Sequence, residues 1–313
     1  MNKPLVSVII PCYNAEKYVE EAIRSVMTQT YSNLEIIVTD DCSSDNTLMI
    51  LETLAAEDSR IKVIKNEENL KIVKSLNNMI KVAQGKYIAR MDADDISLPE
   101  RIEKQVSFLE SNPEYGLCGT NAWHIDENGR KIGRSYLSIS DYEIQRTKFI
   151  RCPFYHPTIC IRSELLKTNL YDNNYDKVED FELWLRLLPL TKACNLAEKL
   201  FYYRKFEGSS SFFYTEEIVS KLTALFYSYL QISYSEAKEY VDFFYIQQKR
   251  CNSNKVIEVV VSNFDKINSK VNPICMKKEF VFFIKNKLFV NKFFCKFFYL
   301  FFSVKNFFVY FGK

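Results

Sequence analysis

The sequence has 313 residues, of which 47% are hydrophobic and 26% are charged, and its formal net charge is +3 at pH 7. This composition is typical of a globular chain with one large domain and a smaller appendage, or with two modest domains. The near-neutral charge does not indicate a nucleic-acid partner, and no stretch approaches the roughly 18 apolar residues that a membrane-spanning helix needs.

The cysteines and histidines do not form a recognisable metal pattern. Nine cysteines are scattered without C-x-x-C spacing, and the two histidines are His124 and His156. A Cys/His zinc site is therefore not expected, and we interpret the cysteines as reduced residues of a cytoplasmic protein.

The first 110 residues alternate strand-like and helix-like patterns. The predicted strands are Leu5–Ile10, Leu34–Thr39, Ile61–Lys65 and Lys86–Arg90, and the predicted helices are Glu16–Thr28, Asp45–Ala56, Ile72–Ala83 and Glu100–Glu110. Continuous apolar runs of this length are typical of parallel strands that are buried on both faces. The alternation predicts βαβ units and an α/β fold with a parallel, doubly wound sheet.

After Pro99 the pattern becomes less regular. The further predicted elements are a hairpin of Trp123–Ile125 and Lys131–Arg134, strands Thr158–Arg162 and Leu196–Arg204, and helix Glu179–Leu188. The loop at residues 208–211 predicts a domain boundary near residue 215. We therefore expect a large α/β domain over residues 1–215 and an α-helical region over residues 216–313.

Polar clusters follow three of the early strands at the point where each strand ends. Pro11–Asn14 follows the first strand, Asp40 and Asp41 follow the second, and Asp92–Asp95 follows the fourth. Ligands bind beyond the carboxyl ends of the strands in an open parallel sheet. The three clusters are therefore expected to converge on one binding site.

The acidic cluster Asp92–Asp95 is the sharpest of these signals. Three carboxylates within four residues repel one another unless a cation or a hydrogen-bond donor compensates them. Mg²⁺ and Mn²⁺ bind one or two carboxylates together with substrate phosphates, so the cluster predicts a diphosphate–metal site. The alternative is an acidic turn before the next helix. Asp41 likewise either belongs to a helix cap or accepts a hydrogen bond from a base edge.

Five ordered motifs resemble the family 2 glycosyltransferases, including the bacterial enzymes of capsule, O-antigen and lipopolysaccharide synthesis. They are Ser7–Asn14, Gln29–Tyr31, Glu35–Asp45, Arg90–Arg101 and Glu179–Arg186, and the resemblance spans residues 4–212. It implies a GT-A fold, which is Rossmann-like with a mostly parallel central sheet. It also implies a nucleotide-diphosphate sugar, either a UDP-hexose or a UDP-N-acetylhexosamine, and a hydroxyl acceptor on a saccharide or lipid-linked saccharide.

The resemblance also assigns site residues. The nucleotide-sugar site would comprise Pro11, Tyr13, Asp41, Arg90, Asp92 and Asp94, and the first three of these would line the nucleotide base. Asp92 and Asp94 would form the DxD pair that holds Mg²⁺ or Mn²⁺, with Asp94 as the direct ligand and Asp92 nearer the ribose. Further contacts to acceptor or phosphate are assigned to Asp95, His156, Glu179 and Arg204.

Asp180 matches the position of the general base in this family. A sugar hydroxyl is a poor nucleophile, and a carboxylate within hydrogen-bond reach can accept its proton during attack. A single in-line displacement would then invert the anomeric configuration. From the residues alone, first-turn acids that match a helix dipole are the favoured interpretation of Glu179 and Asp180.

Three positions depart from the family pattern. Cys42 stands where glycine is usual, which predicts a less tightly turned loop after the second strand. Lys71 also stands where glycine is common, directly after Asn69 and Leu70. Phe206 replaces a frequent histidine, so diphosphate contacts from that loop are in doubt, although Arg204 remains a candidate phosphate partner.

The C-terminal tail is rich in phenylalanine and lysine. Residues 277–313 contain eight lysines and one acidic residue, and Lys285, Lys292 and Lys296 fall on one helical face. Such a helix predicts peripheral contact of residues 280–313 with the inner face of the plasma membrane. The alternative is packing on the catalytic domain or on a second subunit of an oligomer.

Two other functions fit part of the sequence. A sugar-phosphate nucleotidyltransferase also uses paired aspartates, but it requires a Gly-rich basic loop where this chain has Pro11–Asn14. A non-catalytic nucleotide-sugar-binding protein would be favoured if Asp94 or Asp180 were missing, and both are present. None of the seven glycines forms the G-x-G of a dinucleotide oxidoreductase.

Overall fold

The computed structural model describes residues 3–149, 151–206, 215–231 and 233–244. The chain divides into two compact units, one of Met1–Ile144 with Cys152–Leu222 and one of Gln145–Arg151 with Thr223–Lys313. The predicted loop at 208–211 and the predicted tail helix at 280–313 lie outside the described residues. The boundary at residue 215 stays a prediction.

The described chain contains nine strands and nine α-helices. The strands are β1 (Val6–Cys12), β2 (Leu34–Asp40), β3 (Ile61–Lys65), β4 (Tyr87–Arg90), β5 (Ile96–Ser97), β6 (Tyr115–Ile125), β7 (Lys131–Arg134), β8 (Cys160–Arg162) and β9 (Lys192–Arg204). The helices are α1 (Val19–Met27), α2 (Thr47–Glu57), α3 (Lys71–Val82), α4 (Arg101–Ser111), α5 (Asp141–Thr147), α6 (Ser163–Thr168), α7 (Glu179–Leu187), α8 (Glu216–Leu230) and α9 (Tyr234–Phe244). None of the described helices is long and apolar enough to cross a bilayer.

All nine strands belong to one mixed sheet, with β7 paired to β6 beside the order β3-β2-β1-β4-β8-β6-β9-β5. The strands β3, β2, β1 and β4 are parallel, which confirms the predicted βαβ half. The strand β8 runs antiparallel to both β4 and β6, whereas β6 and β9 are parallel. The sheet therefore departs from a purely parallel one in its second half.

The core follows from the apolar pattern of the early elements. Six of the seven β1 residues and all seven β2 residues are buried, as expected for strands covered on both faces. Helix α1 turns Val19, Ala22, Ile23 and Val26 toward this core and leaves its charged residues outside.

Several predicted bounds were wrong. Strand β6 begins at Tyr115 rather than Trp123. Its first half was missed because it contains two glycines and an asparagine, which are depleted in strands. Strand β5 and helices α5 and α6 were not predicted. Residues His156–Thr158 form a 3₁₀ turn, so the strand predicted from Thr158 is β8 and begins at Cys160.

Two loops are turned as tightly as glycine would allow. Cys42 has φ 61° and Lys71 has φ 64°, both in the left-handed region that glycine favours. The expected looser turn after β2 is therefore wrong. The chain keeps the turn with a side chain present, and this conformation costs about 1–2 kcal/mol per residue.

Candidate active site

The carboxyl ends of β1, β2 and β4 meet at one edge of the sheet, as predicted. The Asp41 amide donates to the Cys12 carbonyl at 2.8 Å, and the Met91 amide donates to the Ile9 carbonyl at 3.2 Å. These bonds place the residues after the three strands side by side.

Asp41 lies at the base of this edge. Its carboxylate is buried, and its Oδ1 accepts hydrogen bonds from the Asn66 side chain at 2.7 Å and from the Leu70 amide at 2.9 Å. Pro11 is half-buried within β1, whereas Tyr13 is 54% exposed. The structure thus brings together the three residues predicted to line the base, with Tyr13 free to lie against a planar ligand.

Asp92, Asp94 and Asp95 form one acidic group. Each offers a carboxylate oxygen, and the three oxygens lie within 4.8 Å of one another. Burial, and then the charge of Asp92, raise the pKa of Asp94 to about 6. One Asp95 oxygen is buried with no protein partner. Three hard oxygen donors in this arrangement fit a single Mg²⁺ or Mn²⁺.

Two arginines hold this acidic group in place. The buried Arg90 forms a two-bond ion pair with Asp92, at 2.7 and 2.6 Å. The Arg204 guanidinium, only 2% exposed, donates to the Asp94 carbonyl and to the Glu21 carboxylate, both at 2.7 Å. The Arg204 amide also donates to Asp95 Oδ1 at 2.7 Å. Arg204 therefore braces the loop, and a phosphate contact from it stays a prediction.

Asp180 lies in the first turn of α7. Its Oδ1 accepts from the Phe181 amide at 2.7 Å. The single S–H of Cys152 has two acceptors, Asp180 Oδ2 at 3.8 Å and the Phe154 carbonyl oxygen at 3.4 Å from the sulfur. Asp180 keeps part of its surface exposed, yet burial raises the pKa of its carboxyl. A carboxylate with a raised pKa and two oriented oxygens can accept a proton.

Glu179 and His156 lie beneath Asp180 as a buried pair. His156 Nδ1 is 3.9 Å from Glu179 Oε1, and His156 Nε2 is 2.6 Å from the Tyr171 hydroxyl. The other Glu179 oxygen, Oε2, is buried without a hydrogen-bond partner. Burial, and then the charge of Asp180, raise the pKa of Glu179 to about 8. Burial lowers the pKa of His156, so both shifts favour the neutral form of the group.

Sequence reasoning missed two residues of this site, Cys152 and Tyr171. Neither belongs to a motif, because each reaches the site through the fold rather than through sequence spacing. The nearest signal was the His156-Pro157-Thr158 segment, whose histidine contacts Tyr171 and which follows Cys152 by four residues.

The model of the family "Glycosyl transferase family 2" matches residues 7–169, just over half of the chain. The chain belongs to this family. The expected family is therefore confirmed, and the chain is a glycosyltransferase. Membership favours glycosyl transfer over the nucleotidyltransferase alternative.

Two curated relatives of this glycosyltransferase carry informative names. The putative glycosyltransferase EpsE of Bacillus subtilis strain 168 is 40% identical over 214 residues, which are 67% of this chain and 75% of EpsE. The UDP-Glc:alpha-D-GlcNAc-diphosphoundecaprenol beta-1,3-glucosyltransferase WfgD of Escherichia coli is 34% identical over 189 residues, which are 60% of this chain and 71% of WfgD.

The fold of the glycosyltransferase matches that of Staphylococcus aureus TarS, residues 1–349, in complex with UDP-GlcNAc. The TM-score is 0.63 at 21% identity, and the match covers 85% of this chain and 83% of TarS 1–349. The likeness establishes the predicted GT-A fold.

Proposed function

We propose that this glycosyltransferase moves a sugar from a UDP-hexose or UDP-N-acetylhexosamine to a hydroxyl of a saccharide or lipid-linked saccharide, with inversion, during cell-surface polysaccharide synthesis. The observation that carries the proposal is the convergence of the Asp92, Asp94 and Asp95 carboxylates at the end of β4. The name of WfgD, which specifies a UDP-sugar and a lipid-diphosphate acceptor, supports the substrate classes.

On the donor side, the chain's own groups hold the nucleotide. Asp41 accepts a hydrogen bond from the base, and the exposed Tyr13 ring covers the base beside Pro11. Asp94 and Asp92 hold the metal, and the Arg90 ion pair keeps Asp92 oriented. When bound, Mg²⁺ or Mn²⁺ supplies positive charge that stabilises the leaving diphosphate.

On the acceptor side, Asp180 removes one proton. The acceptor oxygen attacks the anomeric carbon from the face opposite the diphosphate, its proton passes to Asp180, and the bond between that carbon and the diphosphate oxygen breaks. The oxygen–carbon bond forms in the same displacement, so the configuration inverts. Asp180 is the accepting carboxylate because it keeps part of its surface exposed and both of its oxygens are oriented, whereas Glu179 is buried.

The cellular setting is also part of the proposal. A lipid-linked acceptor places the enzyme at the inner face of the plasma membrane, and the basic, Phe-rich residues 280–313 support a peripheral contact there. Residues 1–215 form the catalytic domain in this proposal, and the chain from residue 216 is the helical region that serves attachment or oligomer formation.

A screen of nucleotide-sugars by thermal shift, with and without Mn²⁺, tests the donor assignment. A ligand that binds only the folded state raises the melting temperature, and the stabilisation grows with the logarithm of the ligand concentration divided by its dissociation constant. We expect a UDP-sugar to stabilise the protein in Mn²⁺ and to stabilise it little in EDTA. Equal stabilisation by GDP-, dTDP- and UDP-sugars, or the same stabilisation in EDTA, would contradict the proposal.

A further inference from the structure

We call the compact unit of Met1–Ile144 with Cys152–Leu222 the catalytic unit. One of its faces combines cations with aromatic rings outside the proposed site. It lies where β7, β6 and β9 are neighbours, and we call it the basic aromatic face; its residues are Trp123, Lys131, Arg134, Lys199 and Tyr202. Trp123 of β6 is directly opposite both Arg134 of β7 and Tyr202 of β9. Residues directly opposite on neighbouring strands share one side of the sheet, so these three side chains form a row across it.

Two lysines lie over this row. The Lys131 ammonium is 4.6 Å from the centre of the Trp123 ring and 5.3 Å from that of Tyr202. The Lys199 ammonium is 5.1 Å from the centre of the Trp123 ring. All three distances fall within the range of favourable cation–π contacts, so the rings fix the two positive charges on the surface.

These cations have no acidic partner within the part of the chain that the structure describes. The nearest acids in sequence are already paired, since Glu127 binds Lys17 at 3.3 Å and Glu198 binds Lys104 at 3.1 Å. Protection of an edge strand would explain charges along β7. It does not explain why Lys131 and Lys199 cover tryptophan and tyrosine rings on the face of the sheet.

Exposed apolar side chains lie within β7 and just after it. All four residues of β7 are exposed, and Ile132 is 58% and Tyr136 67% exposed. The Arg134 guanidinium lies 4.9 Å from the centre of the Tyr136 ring. Lysine and arginine among exposed aromatic and aliphatic groups are typical of surfaces that contact both the headgroups and the upper acyl region of a bilayer. The positive charges alone would also attract a soluble polyanion, but the exposed aliphatic and aromatic groups beside them favour a bilayer.

We propose that the basic aromatic face docks the enzyme onto anionic lipid headgroups. The inference extends the membrane location within the proposed function, and it adds a contact on the catalytic unit to the one assigned to residues 280–313. It does not depend on the metal, on Asp180 or on the donor sugar, so the two proposals can fail separately.

Vesicle binding by the full chain tests this face. In the double variant Lys131→Glu/Lys199→Glu, each substitution removes an attraction between the protein and the anionic membrane surface and adds a repulsion. We expect the partition coefficient onto vesicles of phosphatidylcholine with phosphatidylglycerol to fall at least about tenfold at low salt. The matched control is Lys74→Glu/Lys81→Glu on α3, two exposed lysines of the same unit, which should bind like the unaltered protein. Equal binding by the double variant and the unaltered protein would overturn the proposal.

Tryptophan quenching locates the contact. The chain has two tryptophans, and Trp184 is fully buried, so vesicles containing brominated phosphatidylcholine and phosphatidylglycerol should quench Trp123 selectively. Trp123→Phe should remove the quenching while the protein still sediments with the vesicles. Unquenched Trp123 on bound vesicles would overturn the proposal. Binding to dextran sulfate without binding to vesicles would also overturn it and would indicate a polyanionic saccharide partner.

Discussion

Asp92, Asp94 and Asp95 follow a buried parallel strand, whereas Glu179 and Asp180 begin helix α7. The first group turns its oxygens toward one another and is held by two arginines. In the second group, Asp180 lies beside two neutral donors, a backbone amide and a thiol, and the pKa of its carboxyl is raised.

The difference shows how the surroundings of a carboxylate decide whether it binds a cation or accepts a proton. Carboxylates that share one point favour a cation, because the cation removes their mutual repulsion. A carboxylate set apart among weak donors keeps its ability to take a proton. The following changes separate the two roles.

The largest effect is expected from Asp180→Asn. An amide cannot accept the acceptor proton, so kcat should fall about a thousandfold, while UDP binding in Mn²⁺ stays unchanged. Transfer assays and calorimetry measure the two quantities, with Asp176→Asn as the control in the neighbouring turn. Unchanged turnover would remove the base assignment.

Asp94→Asn should affect binding rather than proton transfer. Loss of a charged ligand should weaken Mn²⁺-dependent UDP binding at least about a hundredfold, with little change in the affinity measured in EDTA. Calorimetry with and without Mn²⁺ measures this, and Glu164→Gln on exposed helix α6 is the control. The same loss in both conditions would indicate a folding defect instead.

Glu179→Gln tests the buried pair through stability. The folded pKa of about 8 lies above the ordinary 4.5, so the folded state binds more protons than the unfolded state between these values. The free energy of unfolding should therefore fall as the pH rises from 4.5 to 8, by on the order of a few kcal/mol. Arg90 opposes this shift, and Asp176 adds to it. Urea titrations across this range should show the slope in the unaltered protein and a flatter profile in Glu179→Gln. Identical profiles would contradict the assignment.

Cys152 should tune Asp180 with a smaller effect. Cys152→Ala removes the donor to Asp180 Oδ2, so the carboxylate form is less stabilised. The lower apparent pKa of the kcat profile should then rise, and kcat near neutral pH should fall about threefold. Cys152→Ser keeps a donor and should restore the profile. Equal profiles for serine and alanine would show that only the volume of the thiol matters.

Lys71→Gly should give the smallest change, and it should stabilise the protein. Lys71 is exposed with φ 64°, and glycine adopts this conformation without steric cost. We expect the free energy of unfolding to rise by about 0.5–1 kcal/mol. Lys74→Gly, within α3, should instead destabilise the protein by about 1 kcal/mol. Denaturant titrations measure both, and a loss of stability in Lys71→Gly would contradict the argument.

The region of β1–β4, which carries the proposed donor site, was predicted well because its sequence patterns are local. The apolar runs of β1, β2 and β4 mark buried parallel strands, and the edge strand Ile61–Lys65 was predicted at its observed bounds. The surroundings of Asp180 depend on contacts between distant segments, so Cys152 and Tyr171 could not be recognised before the fold was known. The sequence showed that Cys42 and Lys71 stand where the family usually has glycine. It did not show that the backbone keeps the left-handed conformation at these positions, because that depends on tertiary packing.

Arg204 contacts Asp94 across 110 residues of sequence. Long-range contacts of this kind close a large loop of chain and form late in folding. The ribosome must therefore release the last strand of the sheet before the acidic loop acquires its brace. A nascent chain that has only its first half folded should already have the nucleotide-facing strands, but it should not yet retain a divalent ion.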